Sequence, residues 1–129
     1  MLPVKSEEKL KGVHPDLVKV IHSASSGPIG FIVTEGVRDL QRQKQLVKEG
    51  KSQTLHSRHL LGTDGFGHAA DLAVVGKSGE ITWDFAEYVK LALQVKAAAK
   101  AAGVGIIWGG DWRTLKDGPH FELTSAAYP

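Results

Sequence analysis

The sequence predicts an α+β fold in which helices flank a small antiparallel sheet. Apolar residues recur at helical spacing over residues 83–102. Short apolar segments rich in β-forming residues occupy residues 29–34, 68–75 and 119–123. These helices and strands do not follow the regular strand–helix–strand alternation that builds a parallel sheet, so an antiparallel arrangement is favoured.

Each predicted helix begins or ends at a residue type that favours that position. Residues 15–25 start with proline and aspartate and stop at a serine- and glycine-containing run, which predicts a first helix. Residues 39–50 predict a second, polar helix that ends at a glycine. The longest predicted helix covers residues 83–102, with Asp84 near its start and Gly103 just past its end.

The remaining segments predict strands joined by glycine-bearing loops. Residues 51–66 are polar and contain several glycines, which indicates a loop before the strand at residues 68–75. Residues 104–108 regain β character before a glycine turn, and residues 119–123 predict a last short strand. The loop and the strand that follows it contain three of the six histidines.

Length and composition predict one domain that folds without disulfides. The chain has 129 residues, of which 42% are hydrophobic, enough to bury a core but too few for two domains. Because the chain contains no cysteine, a bound metal ion would take nitrogen and oxygen ligands only. The formal net charge of +2 is a mild bias toward anionic partners and identifies none of them.

The N-terminal segment lacks the basic start, apolar stretch and cleavage site of a secretory signal. We therefore expect the product to be made in the cytoplasm, and something else must release it if its substrate lies outside the membrane. No segment approaches the roughly 20 apolar residues that a membrane span requires, so we expect no stable membrane insertion.

Three segments, HSRH, GHAADLAV and DGPHFEL, carry a set of residues that is typical of a zinc site. His59, Asp71 and His120 would supply two imidazoles and one carboxylate and leave one zinc position open, as metal-assisted hydrolysis requires. Because side chains alternate along a strand, His68 should point away from the face of Asp71. His59 is therefore the better partner for Asp71, and His68 is expected to have a structural role.

Asp117 precedes His120 by three residues at a predicted junction of turn and strand. That spacing can place a general base beside a metal ligand. The alternative is that Asp117 merely caps the bend before glycine, which is the common role of aspartate in such a turn.

The motifs S-x-H, G-x-A-x-D and D-x-x-H-F-E-L, together with FIVTEGVRDLQRQ and WGGDW, resemble the zinc D-Ala-D-Ala carboxypeptidase family, peptidase family M15. Within that family the chain is most similar to phage endolysins that cut the L-alanyl-D-glutamate bond of peptidoglycan. The resemblance extends from Phe31 to Leu123. It implies the fold that Hedgehog proteins and D-Ala-D-Ala peptidases share, and a Zn²⁺ cofactor. Together with the missing signal segment, it also implies synthesis in the host cytoplasm and release to the cell wall through a separate membrane-permeabilising protein.

The resemblance also implies a role for each matching residue. Zinc would assist amide hydrolysis by lowering the pKa of a water molecule whose proton passes to a nearby carboxylate. The implied roles are zinc ligand for His59, Asp71 and His120, catalytic acid/base for Asp117, oxyanion stabilisation for Arg38, and substrate contact for Ser57.

Two of these assignments have alternatives. The chain has five more residues between His59 and Asp71 than the family pattern S-x-H-x-x-G-x-A-x-D. His56 in the same loop is the rival ligand, and His68 is a further alternative. A surface loop accommodates such an insertion at modest entropic cost, which favours keeping His59. Arg38 could instead be a surface arginine paired with Glu35 or Asp39.

The predicted partner is the peptidoglycan stem peptide, bound by a monomer. The sequence leaves open whether the enzyme cuts the L-alanyl-D-glutamate bond or removes a terminal D-alanine. A non-catalytic cell-wall-binding protein of the same fold is a further alternative. No nucleic-acid partner is expected, because the basic residues are interspersed with acidic ones and form no recognised motif. Trp108, Asp111 and Trp112 could line the substrate groove, although packing is the commoner role of such a cluster.

Overall fold

A computed structural model describes residues 2–50, 57–113 and 116–129. Helices flank an antiparallel sheet, which confirms the predicted α+β class. The elements, in chain order, are α1 (Val4–Lys9), α2 (Pro15–Ala24), β1 (Gly30–Glu35), α3 (Leu40–Lys48), β2 (Ala69–Val75), β3 (Ile81–Thr82), α4 (Phe85–Ala102), β4 (Ile106–Trp108) and β5 (His120–Leu123).

The sheet is built around β2. Its strand order is β1-β2-β5-β4, and β3 pairs with the far end of β2. All pairings are antiparallel, and the register of β2 with β5 sets Asp71 directly opposite His120. Residues directly opposite in an antiparallel pair have side chains on the same face, so the sheet itself brings these two residues together.

The core lies between the sheet and two of the helices, α2 and α4. Alternate residues of β2, namely Ala70, Leu72 and Val74, belong to this core, and the residues between them face the other side of the sheet. Helix α4 buries Tyr88 together with residues at helical spacing after it. The opposite face of the sheet is therefore free for polar residues.

The helix predictions agree closely with the structure. Helix α2 begins at Pro15, and α4 follows an aspartate that caps it and precedes Gly103, which adopts φ 71°. Two short elements, α1 and β3, had no counterpart in the prediction because six and two residues carry too little periodic signal. No helix within residues 2–50, 57–113 and 116–129 is long and apolar enough to cross a membrane.

Candidate metal centre

His59, Asp71 and His120 converge on one point on the sheet face opposite the core. His59 Nε2 lies 3.2 Å from Asp71 Oδ1 and 3.2 Å from His120 Nδ1, and His120 Nδ1 lies 3.3 Å from Asp71 Oδ1. These separations match the spacing of about 3.3 Å between ligands at a tetrahedral ion with bonds of about 2.0–2.1 Å. The three side chains could therefore hold one metal ion.

Two of these side chains are positioned by strands of the sheet and the third by a loop. Asp71 and His120 lie on paired strands and are held by the register of the sheet. His59 lies in the loop before β2, where its Nδ1–H donates to the carbonyl of Gly36 at 2.8 Å. That bond directs Nε2 toward Asp71 and fixes the tautomer, as outer hydrogen bonds commonly do for metal-binding imidazoles.

The backbone around His59 is also held. Its carbonyl accepts from the backbone N–H of Arg38 at 2.8 Å, and its N–H donates to Ser57 Oγ at 3.1 Å. Ser57 thus stabilises the loop conformation, and its predicted contact with substrate stays a prediction. The side chain of His59 is only 2% exposed, so the loop holds an imidazole that water hardly reaches.

Glu122 is a further residue of the centre that the sequence analysis missed. Its carboxylate lies 2.8 Å from His120 Nε2, so each imidazole of the centre has an oxygen acceptor at its outer nitrogen. Arg58 lies 3.8 Å from the other oxygen of Glu122. The signal was present in the sequence, because a residue two positions after His120 on a strand shares its face.

We predict that Glu122→Gln weakens metal binding while the fold is retained. The amide removes the negative charge beside His120, and changes to such outer partners typically reduce metal affinity about 10- to 100-fold. Competition with a chromophoric zinc chelator measures the dissociation constant. Glu87→Gln on the exposed surface of α4 is the matched control and should bind zinc like the unmodified chain. Equal affinity in both variants contradicts the role.

The charged groups around the centre stabilise a positive charge at the point where the three side chains meet. Burial opposes ionisation of Asp71, but hydrogen bonds with His120 and His59 outweigh it and hold the pKa of Asp71 well below its usual range. Burial also acts against a charged His120, but hydrogen bonds to Asp71 and Glu122 outweigh that effect and raise its pKa to about 9. Two carboxylates therefore stabilise a cation at this point.

Asp117 lies at the edge of the centre, in the turn that precedes β5. Its backbone N–H donates to the carbonyl of Gly109 at 3.1 Å, and its own carbonyl accepts from the N–H of His120 at 3.2 Å. Burial, reinforced by the charge of Asp71, raises the pKa of the Asp117 carboxyl. A carboxylate with a raised pKa is a better proton acceptor, which suits a general base.

Arg38 is buried, with its guanidinium directed at the centre. It donates to both oxygens of Glu35, at 2.7 and 2.8 Å, and to Gln43 Oε1 at 2.6 Å. Its Nη2 lies 3.8 Å from Asp71 Oδ2. The pairing with Glu35 that the sequence suggested does form, whereas Asp39 caps α3 instead. The contact with Asp71 places Arg38 beside the residues that could hold a metal ion, and its oxyanion role stays a prediction.

The other histidines of this region do not join the group. His68 Nε2 lies 2.7 Å from Asp64 Oδ2, in keeping with the structural role expected of it. His14 caps α2 by accepting from the backbone N–H of Asp16. His56 lies outside the described residues, so the alternative ligand remains to be tested by substitution.

Two tryptophans surround the turn that carries Asp117. Trp108 is buried and donates its indole N–H to the carbonyl of Gly118 at 2.7 Å. The ring of Trp112 lies 5.0 Å from the ring of His120 and is half-buried. Trp108 therefore has the packing role that its sequence context suggested, whereas Trp112 covers one side of the centre.

Fold and site together define a class: small α+β domains that carry a histidine–aspartate–histidine centre on one face of an antiparallel sheet. A family model, described as phage L-alanyl-D-glutamate peptidase, matches residues 1–124. The chain belongs to this family of peptidases.

Individual relatives agree with the family assignment. The chain is 33% identical over 111 residues to the peptidoglycan L-alanyl-D-glutamate endopeptidase CwlK of Bacillus subtilis (strain 168), covering 78% of this chain and 65% of the relative. It is 32% identical over 110 residues to the L-alanyl-D-glutamate peptidase of Listeria phage A118, covering 85% of this chain and 36% of the relative. The chain thus spans less than two thirds of the length of either protein.

Solved structures show the same fold. The crystal structure of the Serratia marcescens L-Ala D-Glu endopeptidase ChiX is 45% identical, with a TM-score of 0.89 and coverage of 100% of this chain and 94% of that one. The vancomycin resistance D,D-dipeptidase VanXYg is 18% identical, with a TM-score of 0.50 and coverage of 86% and 50%. The second likeness concerns the fold alone.

Proposed function

We propose that this protein is a zinc peptidase that hydrolyses the L-alanyl-D-glutamate bond in the stem peptide of peptidoglycan. The observation that carries the proposal is the convergence of two imidazoles and one carboxylate with tetrahedral spacing, in a chain whose relatives are named for that bond. Action as a monomer and release through a separate membrane-permeabilising protein stay predictions.

Zinc suits this donor set. It is bound by imidazole nitrogens and carboxylate oxygens, and three protein ligands leave a fourth position for water or substrate. His59 Nε2, His120 Nδ1 and Asp71 Oδ1 would hold the ion. When bound, zinc supplies Lewis-acid chemistry by acidifying a water molecule and polarising the amide carbonyl.

Residues of the chain carry out the proton transfer, the stabilisation of the oxyanion and the contact with substrate. The Asp117 carboxylate accepts the proton of the attacking water and later passes it to the leaving amine, as a general base that turns into a general acid. Arg38, already held by Glu35 and Gln43, stabilises the negative charge that develops on the carbonyl oxygen. Ser57 contacts the substrate from the loop that holds His59.

Removal of metal tests this proposal. Purified peptidoglycan incubated with the protein should release new amino groups, and a chelator should abolish that release because the water is no longer activated. Added zinc should restore it. Binding to peptidoglycan without any release, with or without zinc, would favour a non-catalytic wall-binding protein instead.

Mass spectrometry of the products identifies the bond. Cleavage at L-alanyl-D-glutamate leaves L-alanine on the sugar-bearing fragment and frees the amine of D-glutamate, whereas a D,D-carboxypeptidase releases free D-alanine. Muropeptides with a new N-terminal D-glutamate are the expected product. Release of D-alanine alone overturns the proposed specificity but leaves the zinc chemistry intact.

A further inference from the structure

Two exposed aromatic side chains, Trp83 and Phe85, lie at the start of α4, and we call them the aromatic ridge. Trp83 is 66% exposed and Phe85 is 43% exposed. Asp84, which lies between them in the sequence, caps the helix by accepting from the backbone N–H of Ala86. Aromatic rings usually bury most of their area, so two of them open to solvent within three residues indicate a surface that meets a partner.

The ridge is supported by aromatic rings beneath it. The ring of Trp83 is parallel to that of Tyr88, with centroids 6.2 Å apart, and the ring of Phe85 stacks on Trp108 at 5.6 Å. Tyr88 is itself fixed, because its hydroxyl accepts from the N–H of Val74 and donates to a carbonyl of β3. The exposed rings are therefore held in place, and little side-chain entropy is lost when they bind a ligand.

Phe85 of the ridge, and Tyr88 beneath Trp83, lie against Gly118, a buried glycine that follows the proposed general base. A Cβ atom on Gly118 would lie 3.1 Å from Tyr88 Cβ and 3.6 Å from Phe85 Cδ1. Trp108, on which Phe85 stacks, donates its indole N–H to the Gly118 carbonyl. Because Gly118 directly follows Asp117, Phe85 packs against the neighbour in sequence of the proposed general base.

We propose that the aromatic ridge binds a sugar ring of the glycan strand to which the stem peptide is attached. This inference rests on the proposed function. L-Alanine is the first residue of the stem peptide and is joined through a lactyl group to an amino sugar. Two residue lengths, about 7 Å, therefore separate the scissile carbonyl from that sugar. Phe85 of the ridge packs against Gly118, which is next in sequence to the residue that would act on this carbonyl.

The chemistry of the substrate indicates that the sugar is the part that binds to the aromatic ridge. Alanine, glutamate and the diamino acid of the stem peptide offer a methyl group, charges and amides, but no flat apolar face. A pyranose ring has such a face, formed by its axial C–H groups, and stacks on the electron-rich face of an aromatic ring. Among the parts of this substrate, only the sugar complements two supported aromatic rings.

Two substrates with and without the sugar test the proposal. Trp83→Ala should lower kcat/KM by about tenfold on a disaccharide tripeptide, the effect of one aromatic contact of about 1.4 kcal/mol. It should leave kcat/KM unchanged on the free tripeptide that begins with L-alanyl-D-glutamate. Trp83→Phe, which keeps an aromatic face, should retain most of the activity on the sugar-bearing substrate.

Leu93→Ala is the matched control. Leu93 is 67% exposed on the same helix, two turns beyond Phe85, and should leave kcat/KM unchanged on both substrates. The proposal is overturned if Trp83→Ala lowers kcat/KM equally on the two substrates, or if it does not lower kcat/KM on the sugar-bearing substrate. Self-association would also overturn the proposal. It would appear as an increase of the molecular mass of the unmodified protein with concentration that is lost in Trp83→Ala, because the ridge would then bind a second copy of the chain.

Direct binding separates this inference from the proposed function. Peptide-free glycan chains should change the tryptophan fluorescence of the unmodified protein, and the change should be lost in Trp83→Ala. If the unmodified protein cleaves neither substrate, the proposed function fails, yet this titration still decides the inference. Absence of any fluorescence change with glycan overturns it.

Discussion

Asp117→Asn should lower the rate of peptidoglycan hydrolysis by about 10²- to 10⁴-fold, the usual contribution of a general acid–base group. The amide is nearly the same size as the carboxylate and keeps the turn before β5, but it cannot accept the proton of water. The rate of release of new amino groups measures the effect, and zinc content measured on the same preparation should be unchanged.

Asp111→Asn is the matched control for that experiment. Asp111 carries the same side chain in the same connection between β4 and β5, but it is exposed, pairs with Lys96 at 2.7 Å and is not one of the three residues that could hold a metal ion. It should hydrolyse peptidoglycan at the rate of the unmodified chain. If Asp117→Asn also retains that rate, the assignment of the general base is wrong, and Asp117 serves only to shape the turn.

His59→Ala should abolish both stoichiometric zinc binding and hydrolysis. The substitution removes one of the three proposed zinc ligands. Its effect on zinc affinity should therefore exceed the loss of about 10- to 100-fold expected when an outer partner such as Glu122 is replaced. Zinc content after gel filtration, together with a chelator competition, measures the effect. Circular dichroism establishes that the variant remains folded despite the loss of the bond to Gly36.

Two other histidines serve as comparisons. His22→Ala removes a half-exposed imidazole that pairs with Glu7 on the surface, and it should leave zinc binding unchanged. His56→Ala tests the rival assignment from the sequence. Full zinc retention in His59→Ala combined with loss in His56→Ala would reverse the choice between these two residues.

The elements of this fold were largely predictable because their signals are local. The spacing of apolar residues along α2 and α4 predicts which side of each helix is buried, and short apolar segments predict the strands. Elements without a repeated pattern were missed. Helix α1 is held by tertiary contacts, such as the bond from the backbone N–H of Val33 to Ser6 Oγ at 3.0 Å.

The candidate site was predictable in its chemistry but not in its full set of contacts. Alternation along β2 correctly separated Asp71 from His68, since the residues that converge include His59 and exclude His68. The bonds from Arg38 to Glu35 and Gln43 depend on how the connection between β1 and α3 places these side chains, which residue spacing does not report.

The sequence by itself determined the residue types of the centre, the family resemblance, and the strands on which Asp71 and His120 lie. The tertiary structure decided that a loop with five additional residues still brings His59 within 3.2 Å of both, and that Glu122 joins the centre. It also decided that Phe85 of the aromatic ridge packs against Gly118, the residue after Asp117. The physical reason is the separation along the sequence of the residues that interact. The side-chain periodicity of a strand or helix depends on residues that are neighbours in the sequence. Loop closure and packing depend on contacts between residues far apart in the chain.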